Sequence, residues 1–555
     1  MPLLFDRHVC RCAAHSARDG FHSKAADKHY PPDLRIEPVH LDIDLFVDPD
    51  EERLEGTVTT TVVARVDGPR TLTLDAVDFD DVEVSDPDGN PLASTYDGKK
   101  LRITWDAPFS AGEERRVAVS YRVVEPVSGL YFSHPTDEYP DRSRWAATDH
   151  ETERARHWLP CIDHLNVRTT LAFRLRARKE FSILANGALM ETQEHDDGTV
   201  TAHWLLEFPC PSYIVCFALG EFTEATDGEF EGLPIAYYAA KHHTVEDLRR
   251  TFGRTGEMLT WMTGRLRQPF PFPKYYQFAL PSFGGAMENI SLVSWDDIFV
   301  LNEDLAREWT WLIDQINVHE MAHSYFGDAV VCRDFAHVWL KESWATYMES
   351  CWLEHKYGAD EANYDFYRNA HAYFEEADGS YKRPIVTRTF DSSWDMYDRH
   401  LYPGGAARLH TLRSELGDDV FWEAVSDYIE TYSGGVVETQ DFRRMMEMHS
   451  GRSLSRFFDQ WFQTAGYPDL CASFTWDAEK KEGTFTLEQK QIDDDGCGVD
   501  GDGHVGSKLA YYKTISRTLA EDIAEVESVG ELQIKGLSRP VSVSNVLRLM
   551  PVPAS

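Results

Sequence analysis

The stretch "VHEMAHSYFGDAVVCRDFAHVWLKESWATYME" (318–349) constrains this chain more than any other. Apolar residues recur at intervals of three and four on both sides of "FGDAVVCRD". It therefore reads as two helices, with a break that lets the second fold back on the first. On the first helix His319 and His323 are i and i+4, stacked on one face at roughly 5–6 Å between Cβ atoms. Two imidazoles so placed can grip one Zn²⁺ at about 2.0–2.1 Å each. Glu320 lies one step further round, displaced by about 100°, where its carboxylate reaches a water on the metal rather than the metal itself. A catalytic zinc takes three protein ligands and a water. Glu342, separated from His323 by eighteen residues, opens the second helix (Trp339, Trp344, Tyr347, Met348) and is the candidate third ligand. His337 and Glu349 are its rivals, and Met321, Ala322, Tyr325 and Phe326 read as core packing.

The remainder of the 555 residues, 42% of them hydrophobic, is ample for several cores; at roughly 100–200 residues per domain, three domains is the natural expectation. The net charge of −38 argues against nucleic acid or an anionic membrane as partner. Only 16 of the 55 basic residues are Lys, a balance that suits either a salty cytoplasm or an ordinary acidic enzyme. Nine cysteines form no CxxC pair and leave an odd one over, which fits a reducing, cytoplasmic setting rather than a disulfide framework. No run of about 18 apolar residues offers a membrane span, and the first twenty residues lack the apolar core of an export signal.

Residues 1–32 read as a disordered leader. From 33 to about 228 the pattern is strand after strand, alternating clearly in "TVTTTVVARV" (57–66), "RRVAVSYRVV" (115–124) and "TTLAFRLRAR" (169–178), with turn signals such as "DPDGN" between. An antiparallel β-sandwich or saddle-shaped sheet is expected there. Within 229–468 helical patterning dominates, interrupted by the extended, edge-like "SFGGAMENISLVSWDDIFV". From 469 to 555 strand patterning returns, broken by "DDDGCGVDGDGHVG", which reads as a loop whose Asp spacing does not fit an EF-hand. The fold class is thus α+β and multidomain.

The zinc pattern HExxH, eighteen residues, Glu, together with "GGAMEN" (284–289) upstream, resembles the aminopeptidase N family of zinc metallopeptidases. "ARHWLPCIDH" (155–164), "RPIV" (383–386), "LYPGGAARLHTLRSELGDDVF" (401–421) and "SLSRFFDQWFQTAGYPDL" (453–470) extend the likeness over about 33–492. It implies a β-rich N-terminal domain, a thermolysin-like catalytic domain, one Zn²⁺ per chain and peptide substrates with a free N-terminus. In that family Glu320 is the general base and Tyr402 the phenol facing the developing oxyanion, with Tyr397 a competing candidate. Gly284, Gly285, Ala286, Met287, Glu288 and Asn289 form the exopeptidase motif.

A buried α-ammonium beside a metal needs anionic partners. Glu288 fits one; the family pattern puts the other at Glu151, with Glu153 a close alternative. Gly284 and Gly285 let backbone approach an extended substrate. Five positions depart from the family: Gly404 stands where a Lys is usual, His164 and Leu165 replace Glu and Pro in "PCIDHLN", and "LKES" replaces "LNEG", placing Lys341 and Ser343 beside the ligand, where Lys341 either lowers the proton affinity of the neighbouring carboxylate or, as is expected, faces solvent. A non-catalytic scaffold of the same fold is the competing reading, against which stands the retention of His319, Glu320, His323 and Glu342 together. The segment 528–549 resembles the end of a class III nucleotide cyclase domain, without that family's metal-binding aspartates.

Overall fold

The computed structural model describes residues 20–477 and, beyond them, the strands Glu482–Gln489, Ala524–Leu532 and Val541–Leu549. Cys10, Cys12 and the Gly/Asp-rich run at 493–506 lie outside the described residues.

Strict alternation builds the N-terminal half. In Ile36–Asp48 the side chains of Ile36, Leu41, Ile43, Leu45 and Val47 are buried while their neighbours face outward, the period-2 pattern of a strand with one face on a core. This strand lies in the middle of a seven-stranded sheet ordered Ala188–Glu194, Thr199–Pro211, Arg168–Arg178, Ile36–Asp48, Arg53–Ala64, Glu114–Val124 and Asp80–Ser85. Only its pairing with Arg168–Arg178 is parallel. A four-stranded sheet, ordered Ser182–Ala185, Phe217–Gly220, Trp145–Thr148 and Leu130–Ser133, is buried nearly throughout. Directly after its strand Trp145–Thr148, residues 149–152 run buried before the chain returns to the seven-stranded sheet at Arg168.

The second half opens with a five-stranded mixed sheet, ordered Phe222–Phe230, Leu233–Ala240, Tyr275–Leu280, Leu292–Asp296 and Ala286–Met287. The last is a two-residue edge strand, antiparallel to its neighbour. Nine α-helices accompany it among the described residues, the first two inserted between its strands Leu233–Ala240 and Tyr275–Leu280: α1 (Val245–Phe252), α2 (Thr255–Leu266), α3 (Glu303–His323), α4 (Trp339–Tyr357), α5 (Ala359–Gly379), α6 (Tyr402–Leu416), α7 (Asp418–Tyr432), α8 (Thr439–Ser450) and α9 (Ser455–Trp461). Helix α3 starts at an Asn302 cap whose side chain accepts from the Asp304 and Leu305 amides. Its second half is buried on most sides. The β-rich half followed by a helical half is the α+β arrangement expected. None of the described helices is long and apolar enough to cross a membrane.

Part of the expected leader is anchored. Ser23 donates through its amide and hydroxyl to Asp391 (2.7 and 2.6 Å), His29 stacks on Phe390, and Phe21 packs against Tyr381. The local signal is weak because these few residues make contacts some 360 positions away.

A buried ion pair fixes the start of α6. Arg383 grips Asp398 with two nitrogens, at 2.6 and 2.7 Å. Asp398 in turn accepts from the Leu401 amide, and its carbonyl from the Tyr402 amide. Burial pushes the Asp398 carboxyl up, but Arg383 and then His400 outweigh it and hold it below the usual range. The pair's stabilisation is therefore present above about pH 4 and lost as pH falls through the native value. Arg383→Met, which strands a buried carboxylate, should lower the unfolding free energy at pH 7 by about 3–5 kcal/mol in urea titrations. A loss below about 1 kcal/mol would show that the pair does not hold this helix start.

Candidate metal centre and its surroundings

His319 and His323 sit on the last turn of α3, and the chain reverses through 324–338 before α4 begins. That reversal is pinned by Val330–Cys332, paired with Gly435–Val437. Glu342 lies in the first turn of α4, where the helix dipole favours an anion. Its Oε2 is 3.5 Å from His319 Nε2 and 3.4 Å from His323 Nε2. The outer nitrogens are committed elsewhere: His323 Nδ1 donates to the Phe326 carbonyl at 3.0 Å, and His319 Nδ1 pairs with Glu349 at 2.8 Å. Both Nε2 atoms thus face Glu342, the arrangement in which outer partners orient metal-binding imidazoles.

Two imidazole nitrogens and one carboxylate oxygen, all within 4.8 Å of one another, make the His₂Glu donor set of catalytic zinc sites. Burial lowers the proton affinity of both imidazoles, yet the facing carboxylates outweigh it and hold them above the usual histidine range. Glu320 completes the fit. Its Oε2 is buried with no hydrogen-bond partner, and burial pushes its carboxyl up to about 7 against the pull of His319 and His323. These residues suit a divalent cation with an adjacent proton acceptor.

Beside this point lies a cavity of about 40 Å³, lined by Gly284 to Glu288 in and around the edge strand, Glu151, Tyr402 and the ligand set, among others. Gly284 and Gly285 have φ of 71° and 103°, the region that favours glycine. The Gly284 amide donates to Asp296 at 2.7 Å. Tyr402 is the first residue of α6, and its ring centroid is 6.1 Å from that of His319. Gly404 is required by packing: a Cβ there would stand 2.9 Å from the Tyr373 ring.

Several alternatives that the sequence leaves open separate in space. Glu151 faces the metal cluster, whereas Glu153 lines a different cavity. Glu349 supports His319 from behind, and His337 pairs with Thr439 and Arg388. Tyr397 donates to Glu151. Asn289 does not line the cavity; it is buried and donates to Ser294 at 3.2 Å.

Lys341 does not face solvent, contrary to expectation. It is fully buried, with Nζ 3.0 Å from both oxygens of Glu151, 2.5 Å from Glu288 and 3.0 Å from Glu342. Burial would strip its proton, but Glu151 and then Glu288 hold it well above the usual lysine value. The two carboxylates part: burial lifts Glu151 to about 8, while at Glu288 it is outweighed by Lys341, then His323, keeping that group low. Glu342 is likewise held low against burial, chiefly by Lys341. The sequence does carry a usable signal, since Lys341 falls on the stripe Val338, Ala345 and Met348, all buried.

If Glu349 orients His319, Glu349→Ala should weaken zinc binding about 10–100-fold in chelator competition. Unchanged affinity would remove it from that role.

Comparison with known proteins agrees with this arrangement. The peptidase M1 N-terminal domain matches residues 37–214 and the peptidase family M1 domain residues 250–461, together more than two thirds of the chain. Neither reaches the cyclase-like segment, and that likeness gains no support. Glutamyl aminopeptidase of Rattus norvegicus is 25% identical over 484 residues, covering 83% of this chain and 50% of the relative. Aminopeptidase N of Lactobacillus helveticus is 25% identical over 468 residues, covering 82% and 53%. The chain thus spans about half the length of these curated relatives. Among solved structures, an M1 zinc metallopeptidase from Deinococcus radiodurans aligns with a TM-score of 0.62 at 23% identity, covering 76% of this chain and 92% of that one. A mutant of it bound to the peptide Tyr-Ser-Ala aligns with a TM-score of 0.62, again at 23% identity, covering 80% and 97%. With both of its halves matched in order and the His₂Glu cluster in place, the chain belongs to peptidase family M1.

Proposed function

We propose that this chain is a zinc-dependent aminopeptidase that releases the N-terminal residue of peptides with a free N-terminus. The observation that carries the reading is the convergence of His319, His323 and Glu342 beside a buried, unpartnered Glu320 carboxylate oxygen. Held by those three ligands, one Zn²⁺ per chain would supply Lewis-acid polarisation of the scissile carbonyl and acidify a water toward pKa ~7.

The chain's own groups supply the remainder. Glu320, with a carboxyl near neutrality, takes the proton from the attacking water and returns it to the leaving amine, a role best filled by a group titrating near the working pH. Tyr402 donates its hydroxyl to the carbonyl oxygen as negative charge develops. Tyr397 already donates to Glu151, which favours Tyr402 for that task. The backbone of Gly284 to Met287 pairs with the extended substrate as an added strand, and Asn289 supports it through Ser294. Glu288 and Glu151 receive the α-ammonium. A non-catalytic scaffold would have no use for the Glu320 arrangement.

The catalytic unit would span 229–468 and the β-rich domain 33–228, with 469–555 as a C-terminal tail. A reducing, cytoplasmic setting is supported by six free cysteines among the described residues, five of them buried.

Glu320→Gln should retain one zinc per chain and lose at least about 100-fold in kcat on alanyl arylamide; full turnover would show that the base is another group. Glu288→Ala should impair alanyl arylamide far more than its N-acetylated counterpart, and equal losses would separate Glu288 from ammonium binding.

A further inference from the structure

We propose that His242, His243 and Asp297 form a second, weaker site for a divalent transition metal, at one edge of the five-stranded mixed sheet. It shares no residue with the His₂Glu centre and does not depend on the reaction assigned there.

Sheet topology brings the three residues together. Leu233–Ala240 and Leu292–Asp296 both run parallel to Tyr275–Leu280, which lies between them, so both strands end on the same edge. His242 and His243 follow the first strand, and Asp297 directly follows the second. Successive side chains on an extended chain point to opposite faces. Here the strand has ended, and the His243 amide donates to the Ala240 carbonyl at 3.0 Å. That turn sets the two rings side by side, their centroids 4.0 Å apart.

Asp297 Oδ2 is 3.1 Å from His242 Nε2 and 3.2 Å from His243 Nε2, and the three atoms lie within 4.8 Å of one another. The matching separations at the His₂Glu centre are 3.5 and 3.4 Å. Bonds of roughly 2.0–2.2 Å around a tetrahedral ion place ligand atoms about 3.3–3.5 Å apart, so a slight opening admits the metal. A hydrogen bond to Asp297 engages one ring. Convergence of both Nε2 atoms on one oxygen is what a shared cation satisfies, with each ring protonated at Nδ1. Nearby positive charge is offset: Lys241 pairs with Glu221 at 3.0 Å, and the first turn of α1 carries Glu246 and Asp247 against its positive end. Imidazole and carboxylate together suit zinc, nickel or copper rather than calcium or magnesium. The His242 side chain is 56% exposed, which leaves the remaining coordination positions to water and makes this the weaker site. A bound ion ties the two strand ends together next to Asp296, which holds the Gly284 amide.

The test uses the full-length protein already carrying one zinc per chain, titrated with Zn²⁺ alone in a calorimeter. One further equivalent should bind, about 100-fold or more weakly than the first. His242→Ala and His243→Ala should each weaken that equivalent about tenfold or more, with the first zinc retained and alanyl arylamide turnover at one zinc per chain unchanged. Added Zn²⁺ should raise the melting temperature of the wild type more than that of His243→Ala. Anomalous diffraction at the zinc edge from wild-type crystals soaked in Zn²⁺ should place a peak among His242, His243 and Asp297, and this decides the matter even if neither variant folds. No further equivalent, or one that neither substitution moves, overturns the proposal. So does a soaked crystal with no peak at these residues.

Discussion

Lys341 Nζ is a buried cation held by carboxylates from three separate parts of the chain. Glu151 comes from the loop after Trp145–Thr148 in the β-rich half, Glu288 from the residue that follows the edge strand of the mixed sheet, and Glu342 from the first turn of α4. Taking such charges out of water is costly unless each is paired with good geometry. The cluster therefore ties the placement of these three segments together. None can shift without leaving a charge exposed to a low-dielectric interior.

The metal end of the site depends on the same cluster. Glu342 turns one oxygen toward Lys341 and the other toward the two imidazoles, so the cation helps to fix the carboxylate that would bind metal. The fork of Arg383 on Asp398 plays a corresponding part at the start of α6, holding the turn that presents Tyr402. Charge, more than apolar packing, sets the positions of the chemically active groups, while the continuous apolar core beneath supplies rigidity.

The legible parts of the sequence are those governed by a local period. Helical spacing alone places His319 and His323 together, and strand alternation reveals the β-rich half. Glu151 cannot be separated from Glu153 by pattern because they lie in irregular backbone, where no period fixes direction. Lys341 escapes a sequence reading because a lysine beside a ligand is ordinarily solvated, although its neighbours on the helix stripe are all buried. Residues 20–30 are ordered by contacts some 360 positions away, beyond any local pattern. Asn289 belongs to a legible motif, yet it sits behind the strand instead of in the cavity.

The claim beneath all of this is that one divalent metal is held by two imidazoles and a carboxylate. X-ray absorption at the zinc edge, on active protein carrying one zinc per chain, tests it most directly. The account predicts a first shell of nitrogen and oxygen only, with multiple scattering from two imidazoles. A sulfur-containing shell, or scattering from one imidazole or none, would contradict it.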